Sequence, residues 1–262
     1  MHPAVKVSRL SIVLLVFALC TLWGGMQEKS GSPFSFAAPA FAAENNNYGD
    51  ESEEPFGEDH VATRDPLEPM NRAFFQFNDK LYFWFLKPVG TFYGKVIPPG
   101  VRTDIKNAYE NIQFPIRFVN NALQGKFKGA GVELSRFVIN STLGFGGMFD
   151  IANTHFNLHP YDEDFGQTLG FYGMKPMIFI NWPFFGPSTG RDTIGSGADT
   201  FLNPINYLAP NMAVRAGVQG GIKLNNTSMR IGEYEDFKAS ALDPYVSMRD
   251  FFLNYRANAI KN

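Results

Sequence analysis

The sequence predicts a helical protein, because the points where helices begin and end are marked along most of the chain. Aspartate followed by proline occurs at Asp65–Pro66 and again at Asp243–Pro244, and such a pair places an N-cap residue before a proline that starts a helix. Glu68 completes a capping box at the first site, and that helix should stop before Pro88. In chain order, the predicted helices cover about 66–86, 101–112, 115–124 and 127–142, and a last one begins after Asp243.

The first predicted helix, Pro66–Leu86, is unusually aromatic. In NRAFFQFNDKLYFWFLKP, seven of the eighteen residues are Phe, Tyr or Trp. At about 100° per residue its apolar side chains fill an arc of roughly 220°, wider than the apolar face of an ordinary surface helix. The remaining polar stripe consists of Arg72, Gln76, Asp79 and Lys80, and only Phe83 interrupts it. Two environments fit: the centre of a soluble bundle, or a bilayer interface with lipid on the apolar arc and water along the stripe.

Residues 1–42 are predicted to be an export signal. A basic start precedes a long apolar run, and small residues allow cleavage before Ala43. A retained membrane anchor is the alternative. Cys20 is the single cysteine, so an internal disulfide is excluded. Leu19, directly before it, fits poorly into a lipidation site.

The rest of the chain divides by charge. Residues 43–61 are strongly acidic and are predicted to be a disordered linker. A helical domain follows at 62–256, and 257–262 form a C-terminal tail. The net charge of -2 and the lack of a sustained basic stripe indicate no nucleic-acid partner.

The stretch GPSTG matches the Gly-x-Ser-x-Gly pattern of a hydrolase nucleophile elbow, with Ser188 as the nucleophile. On that fold the histidine of the triad follows the serine, but His155 and His159 both precede Ser188. A helix start explains the same residues, because Ser188 or Thr189 can cap a helix and Asp192 then lies near its positive end. We therefore predict that the protein is not an enzyme.

The stretch HFNLHPYDEDFG contains five potential metal ligands, namely His155, His159, Asp162, Glu163 and Asp164. Pro160 and the absence of a Glu next to His155 spoil the paired-histidine zinc pattern. The rest of a calcium loop is missing as well. The sequence predicts a solvated polar loop here, with no metal and no cofactor.

Glycines are concentrated in the middle of the chain, in NSTLGFGGMFDIA. Gly144, Gly146 and Gly147 fit two interpretations: the end of the helix near Thr142, or a mobile loop with glycine hinges. Further along, MIFINWPFFG fits a short strand or an extended segment. The sequence leaves the choice between helix end and hinge open.

Five motifs, in this order, resemble the MlaA family, also called VacJ. They are DPLEPMNRAFFQFND, VNNALQGKFKGAGVELSRFVINSTLGFGGMFDIA, DFGQTLGFYG, PFFGPSTGRD and DPYVSMRDFF, within about residues 62–256. The resemblance implies an all-α, ring-shaped protein at the membrane interface, with a central amphipathic channel and a glycine-rich hairpin loop. It also implies intermembrane phospholipid transport. Such a protein lies in the inner leaflet of the Gram-negative outer membrane beside a trimeric porin, and passes mislocalised outer-leaflet phospholipid to a soluble periplasmic lipid carrier.

By position, the resemblance also assigns roles to residues. The polar stripe of Arg72, Gln76, Asp79 and Lys80 would line the lipid channel. Channel control and the aromatic ring would involve Phe75, Phe77 and Asn78, and the hairpin loop would comprise Gly144, Gly146, Gly147, Met148 and Phe149. Family members are commonly lipoproteins, so the poor lipidation site at Cys20 departs from the pattern. The alternative function is a passive porin-associated scaffold that moves no lipid.

Overall fold

The structure, a computed structural model, describes residues 65–261, so the predicted signal segment, acidic linker and Cys20 lie outside the described residues. The elements are, in order, α1 (Glu68–Leu81), a π-helical turn (Tyr82–Leu86), α2 (Lys87–Val96), α3 (Pro99–Ile112), α4 (Phe114–Leu123), α5 (Phe127–Thr142), α6 (Ile151–Phe156), α7 (Phe165–Phe171), β1 (Phe179–Trp182), β2 (Gly186–Thr189), α8 (Gly190–Leu202), α9 (Ile205–Leu208), α10 (Met212–Met229), α11 (Glu233–Ser240) and α12 (Pro244–Lys261). The predicted helical fold is confirmed, and α12 continues as a helix to Lys261, within the segment assigned to a tail.

Helix starts follow the predicted chemistry at one Asp-Pro pair and depart from it at the other. The Asp243 carboxylate accepts from the backbone N–H groups of Tyr245 at 3.0 Å and Val246 at 3.2 Å, so it caps α12 as expected. At the first pair α1 begins later, with Leu67 in the N-cap position and no side-chain cap. Asp65 instead accepts from the Leu67 N–H at 3.2 Å. The capping box is not formed there.

The prediction that the first helix stops before Pro88 is wrong. The chain stays helical through α2, and the π-helical turn accommodates the proline: the Lys87 N–H bonds to the Tyr82 carbonyl, five residues back. Proline has no N–H, and inside an α-helix its ring clashes with the carbonyl four residues earlier. Widening the preceding turn removes that conflict. It also shifts the angular positions of the residues after Leu81, and Trp84 is left 77% exposed.

A two-stranded antiparallel hairpin, β1–β2, confirms the predicted extended segment. Its outer edge lies along α1, where the side-chain amides of Asn71 and Asn78, two helical turns apart, take the place of a third strand. Each amide both donates to and accepts from the backbone of the hairpin, at distances of 2.7–3.0 Å. The backbone groups involved are Phe179 O and Asn181 N for Asn71, and Trp182 O and Phe184 N for Asn78.

An apolar core lies where α12 packs against this hairpin. It consists of Phe179, Tyr245, Met248, Phe252 and Leu253, with Phe75 of α1 against its edge. Tyr245 is 2% exposed and Phe179 is fully buried. This part of the molecule follows the ordinary arrangement of apolar side chains inside and polar groups outside.

Candidate functional site

Away from that core, the interior of the described residues is polar. Buried polar and charged side chains outnumber buried apolar ones, which is the reverse of an ordinary soluble domain. Apart from Arg102 of α3, which donates to the Ser228 carbonyl at 2.8 Å, the buried charged residues belong to α5, α8 and α12 or to the loop before α7. They form three connected networks.

The first network centres on Arg256 of α12. Its guanidinium donates to Asp164 at 2.9 Å and to Asp192 at 3.1 Å, and Arg191 donates to Asp192 at 3.1 Å. Gly166 makes room for this network, because a Cβ there would come within 2.5 Å of an Asp192 oxygen. Two arginines thus balance two carboxylates in the interior, as buried charges require.

The second network contains the acidic segment that the sequence assigned to a solvated loop. That prediction is wrong for two of the three acids: Glu163 and Asp164 are 8% and 7% exposed. Glu163 accepts from Lys126 at 2.7 Å, and Asp164 bonds to Arg256. These carboxylates bind a cation directly before α5 and a cation of α12, whereas His155 and His159 lie on the surface.

The third network lies along the inner face of α5. Glu133 is fully buried; it accepts from Arg117 of α4 at 2.6 Å and from the Tyr161 backbone N–H at 2.8 Å. One turn later Arg136 donates to Asp150 at 3.0 Å. The inner face of this helix is therefore charged.

The outer face of α5 is apolar. Phe127, Leu134 and Val138, spaced by seven and four residues, lie on one side of the helix and are all exposed. Helix α8 repeats the arrangement, with Ile194 and Phe201 exposed and its charged residues inside. A helix on the surface of a soluble protein turns its apolar face inward and its polar face outward, and α5 and α8 have the reverse arrangement.

Exposed apolar side chains continue over other elements, including Trp84, Phe92, Phe145, Tyr207 and Leu208. Large apolar side chains exposed in this number are typical of contact with a membrane or a partner. Within residues 65–261, no helix combines the length and hydropathy needed to cross a bilayer.

The predicted polar stripe on α1 is divided by its partners. Arg72 bonds to Glu68 at 2.8 Å and to Asp243 at 2.8 Å, so it joins α1 to the start of α12. Asp79 pairs with Lys238 of α11 at 2.7 Å. Gln76 and Lys80 remain exposed. The structure therefore brings half of the stripe against α11 and α12 and leaves the other half open.

Phe75, Phe77 and Asn78 meet the hairpin and the core. The ring of Phe75 packs edge-on against Tyr245, with centroids 6.0 Å apart, and Phe77 packs edge-on against Phe184 at 5.0 Å. Phe184 is the tip of the hairpin and has φ of 67°. The pairing of Asn71 and Asn78 with the strand was missed by sequence reasoning, although their seven-residue spacing within an apolar arc was visible.

The glycine-rich stretch forms the turn from α5 to α6, and the β-hairpin lies elsewhere, at Phe179–Thr189. Gly147 has φ of 92°, and a Cβ there would come within 2.4 Å of Asn111. The Met148 carbonyl accepts from Asn107 at 3.0 Å. The Gly144 N–H bonds to the Ile139 carbonyl, so the helix-end interpretation accounts for these glycines. Phe149 is exposed at the end of the turn.

The GPSTG stretch starts α8, as the capping interpretation predicted. Thr189 is the N-cap residue, and its hydroxyl oxygen accepts from the Asp192 N–H at 3.1 Å. The Ser188 hydroxyl bonds to the Thr189 carbonyl at 3.3 Å and lies 3.2 Å from the Thr193 hydroxyl. Both residues thus have local structural partners.

Two acids near these networks have raised pKa values. Asp199 accepts from Asn120 at 2.9 Å and from the Phe165 N–H at 3.0 Å, and it is the buried acid, among those described, that has no Lys or Arg partner. Burial raises the pKa of Asp199 to about 6. Burial also raises the pKa of Asp162 to about 7, against the opposing charge of Arg117.

Charged networks inside and apolar side chains outside define a helical membrane-interface protein. Comparison with known sequences gives the family: the chain belongs to the MlaA lipoprotein family, whose model matches residues 63–259.

Individual relatives and a solved structure agree. The chain is 31% identical to the intermembrane phospholipid transport system lipoprotein MlaA of Escherichia coli K12, over 75% of this chain and 78% of the relative. It is 28% identical to the protein of the same name from Haemophilus influenzae, over 74% and 79%. A structure described as "Structural basis for maintenance of bacterial outer membrane lipid asymmetry" matches with a TM-score of 0.66 and 28% identity, covering 75% of this chain and 99% of that one.

Proposed function

We propose that this protein lies in the inner leaflet of the outer membrane and transports phospholipid, removing it from the outer leaflet to maintain lipid asymmetry. The observation that carries the proposal is the reversed amphipathicity of α5 and α8. Acyl chains that cover the apolar faces lower the free energy by about 25 cal/mol per Å² of surface removed from water. A soluble domain has no such use for exposed Phe127 and Phe201.

The polar interior supports the transport step of this proposal. Moving a charged headgroup through hydrocarbon costs several kcal/mol unless polar groups accompany it. A ring of helices with a central amphipathic channel would supply them, and the exposed Gln76 and Lys80 are the stripe residues placed to meet solvent or a headgroup. Phe75, Phe77, Asn78 and the turn from Gly144 to Phe149 are proposed to control passage.

Family membership supports three further parts of the proposal. A signal peptide exports the chain, the protein associates with a trimeric porin, and a soluble periplasmic carrier receives the lipid. The protein has no hydrolytic role in this scheme. Purified protein incubated with labelled phospholipid should therefore release no fatty acid, and Ser188→Ala should leave transport unchanged.

Deletion of the gene in its Gram-negative host tests transport. Surface phosphatidylethanolamine, labelled on intact cells with an impermeant amine reagent, should rise and should return to the normal level on complementation. Unchanged labelling would contradict transport. Gln76→Asp and Asn78→Asp separate transport from a passive scaffold: normal lipid labelling with persistent porin co-purification would favour the scaffold.

A further inference from the structure

Phe83, the residue that interrupts the predicted polar stripe, has two ammonium groups within cation–π distance of its ring. The Lys238 nitrogen is 5.0 Å and the Lys87 nitrogen 5.5 Å from the centre of its ring. Each ammonium also pairs with a carboxylate: Lys238 with Asp79 at 2.7 and 2.9 Å, and Lys87 with Glu235 at 2.7 Å. The interruption of the stripe is thus explained by cation–π contacts.

A tyrosine hydroxyl completes each of these two sites. Tyr234 donates to Asp79 at 3.0 Å, and Tyr82 donates to Glu235 at 2.8 Å. Burial and the adjacent carboxylates raise the pKa of both tyrosines, so both hydroxyls remain donors at neutral pH. A carboxylate, a phenol that orients it and an aromatic face are the groups that recognise a primary ammonium.

The two sites differ in how firmly their carboxylates are fixed. Glu235 also accepts from the Gly232 N–H at 3.1 Å and so belongs to the start of its own helix, α11. The Asp79 carboxylate is bound by Lys238 and Tyr234 among the described residues. Asp79 is therefore the carboxylate whose partner can exchange without disturbing a helix end.

The Asp79 site lies at the border of the apolar exterior, and its cation is partly exposed. The Lys238 side chain is 38% exposed, and α11, which carries it, has no buried residue. Phe237 of α11 packs against the edge of the apolar core, and the side chains of Tyr234 and Lys238 join the helix to Asp79 of α1. The neighbour of Phe83 in sequence is the exposed Trp84, beside which an acyl chain would lie.

We propose that the Asp79–Lys238 ion pair opens to bind the zwitterionic headgroup of an aminophospholipid. The lipid ammonium takes the place of the Lys238 ammonium between Asp79, Tyr234 and Phe83, and the released Lys238 binds the lipid phosphate. Both protein charges remain paired, so no buried charge is left uncompensated. An anionic headgroup without an ammonium would pair with Lys238 and leave Asp79 alone. The inference rests on the proposed lipid transport and adds a headgroup preference to it.

Lipid retention by the purified full chain tests the inference. The protein, in detergent with an equimolar mixture of phosphatidylethanolamine, phosphatidylglycerol and phosphatidylcholine of identical acyl chains, is re-isolated and its lipid identified by mass spectrometry. We expect phosphatidylethanolamine to be enriched roughly fivefold. Equal retention of all three would overturn the headgroup inference and leave transport standing. Retention of no lipid at all would count against the proposed function itself.

Three variants test whether the headgroup preference depends on the Asp79–Lys238 pair. Asp79→Asn should abolish the enrichment while some lipid is still retained. The exchange Asp79→Lys with Lys238→Asp keeps an ion pair, and so the fold, but reverses the polarity that the headgroup meets; it should also lose the preference. Asp250→Asn removes a different ion pair, with Arg249 on α12, and it should behave as wild type. Enrichment that survives in both Asp79 variants contradicts the inference.

A soluble competitor identifies the source of the headgroup. Phosphoethanolamine should displace the lipid only at concentrations far above it, since the acyl chains contribute apolar burial that the soluble compound lacks. Displacement at comparable concentrations would make a soluble zwitterion the ligand and would overturn the assignment to lipid.

Discussion

Helices α5 and α12 are of similar length but bury opposite kinds of side chain. Helix α12 turns Tyr245, Met248 and Phe252 into an apolar core, whereas α5 turns Glu133 and Arg136 inward and Phe127 outward. The arrangement of α12 gains stability by removing apolar surface from water. The arrangement of α5 depends on paired charges in the interior and on an apolar medium that covers the exposed side chains. One chain thus uses both arrangements: the hairpin region has a conventional apolar core, and the α4–α8 region has the arrangement that the proposed lipid surroundings require.

The largest expected effect comes from breaking the charged interior. Arg256→Met leaves Asp164 and Asp192 without the guanidinium that bridges them, and removing one partner from a buried ion network costs about 3–5 kcal/mol. Denaturant unfolding in detergent measures the loss. Arg249→Met, on the same helix but in a pair with the half-exposed Asp250, should cost less than about 1 kcal/mol. Equal losses for the two variants would show that the network is not specially stabilising.

A smaller effect is expected in the conventional core. Met248 is 3% exposed against the hairpin, and Met248→Ala should cost about 2–4 kcal/mol through lost burial and a cavity. The same unfolding assay applies. A loss that disappears when detergent is replaced by a bilayer would mean that lipid fills the space, and that the core is not sealed by α12.

Protonation of the uncompensated acid gives the third prediction. Because the pKa of Asp199 is raised to about 6 from its ordinary 3.8, the folded state binds a proton more readily than the unfolded state. Stability should therefore fall as pH rises from about 4 to about 6, by up to about 3 kcal/mol, and stay level above that. Asp199→Asn should remove this component. Melting temperatures of variant and wild type across pH 4–7 isolate it, and parallel curves would refute the assignment.

The smallest effect is expected on the outer face of α5. Leu134 is exposed, and Leu134→Ser should leave the free energy of unfolding nearly unchanged. It should weaken partitioning into phospholipid vesicles by about 1 kcal/mol, or roughly fivefold, because the substitution removes an aliphatic side chain that lipid would bury by about half. Vesicle flotation measures this. Ser135→Ala, one residue away on the exposed side, is the matched control and should bind at least as well as wild type.

The features that were predicted correctly from the sequence are those that depend on local interactions. Asp243 and Thr189 cap helices because a short polar side chain before a free N–H requires no distant partner. The same reasoning failed at Pro88, where one π-helical turn resolved the conflict that usually ends a helix. It also failed at Glu163 and Asp164, because a run of acids is solvated unless cations from other elements reach it. Lys126 and Arg256 do so from 37 and 92 residues away.

From the sequence came five of the helices in their order, the motifs of the family and the presence of more aromatic side chains on the first helix than one soluble face can bury. The fold was needed to show where the charges lie: which half of the α1 stripe is paired, that α5 and α8 turn their polar faces inward, and that Lys87 and Lys238 both contact the ring of Phe83. The physical reason is the distance along the chain over which each interaction acts. Capping and periodicity act over one or two turns, whereas burial of a charge depends on partners that the fold brings from distant parts of the chain.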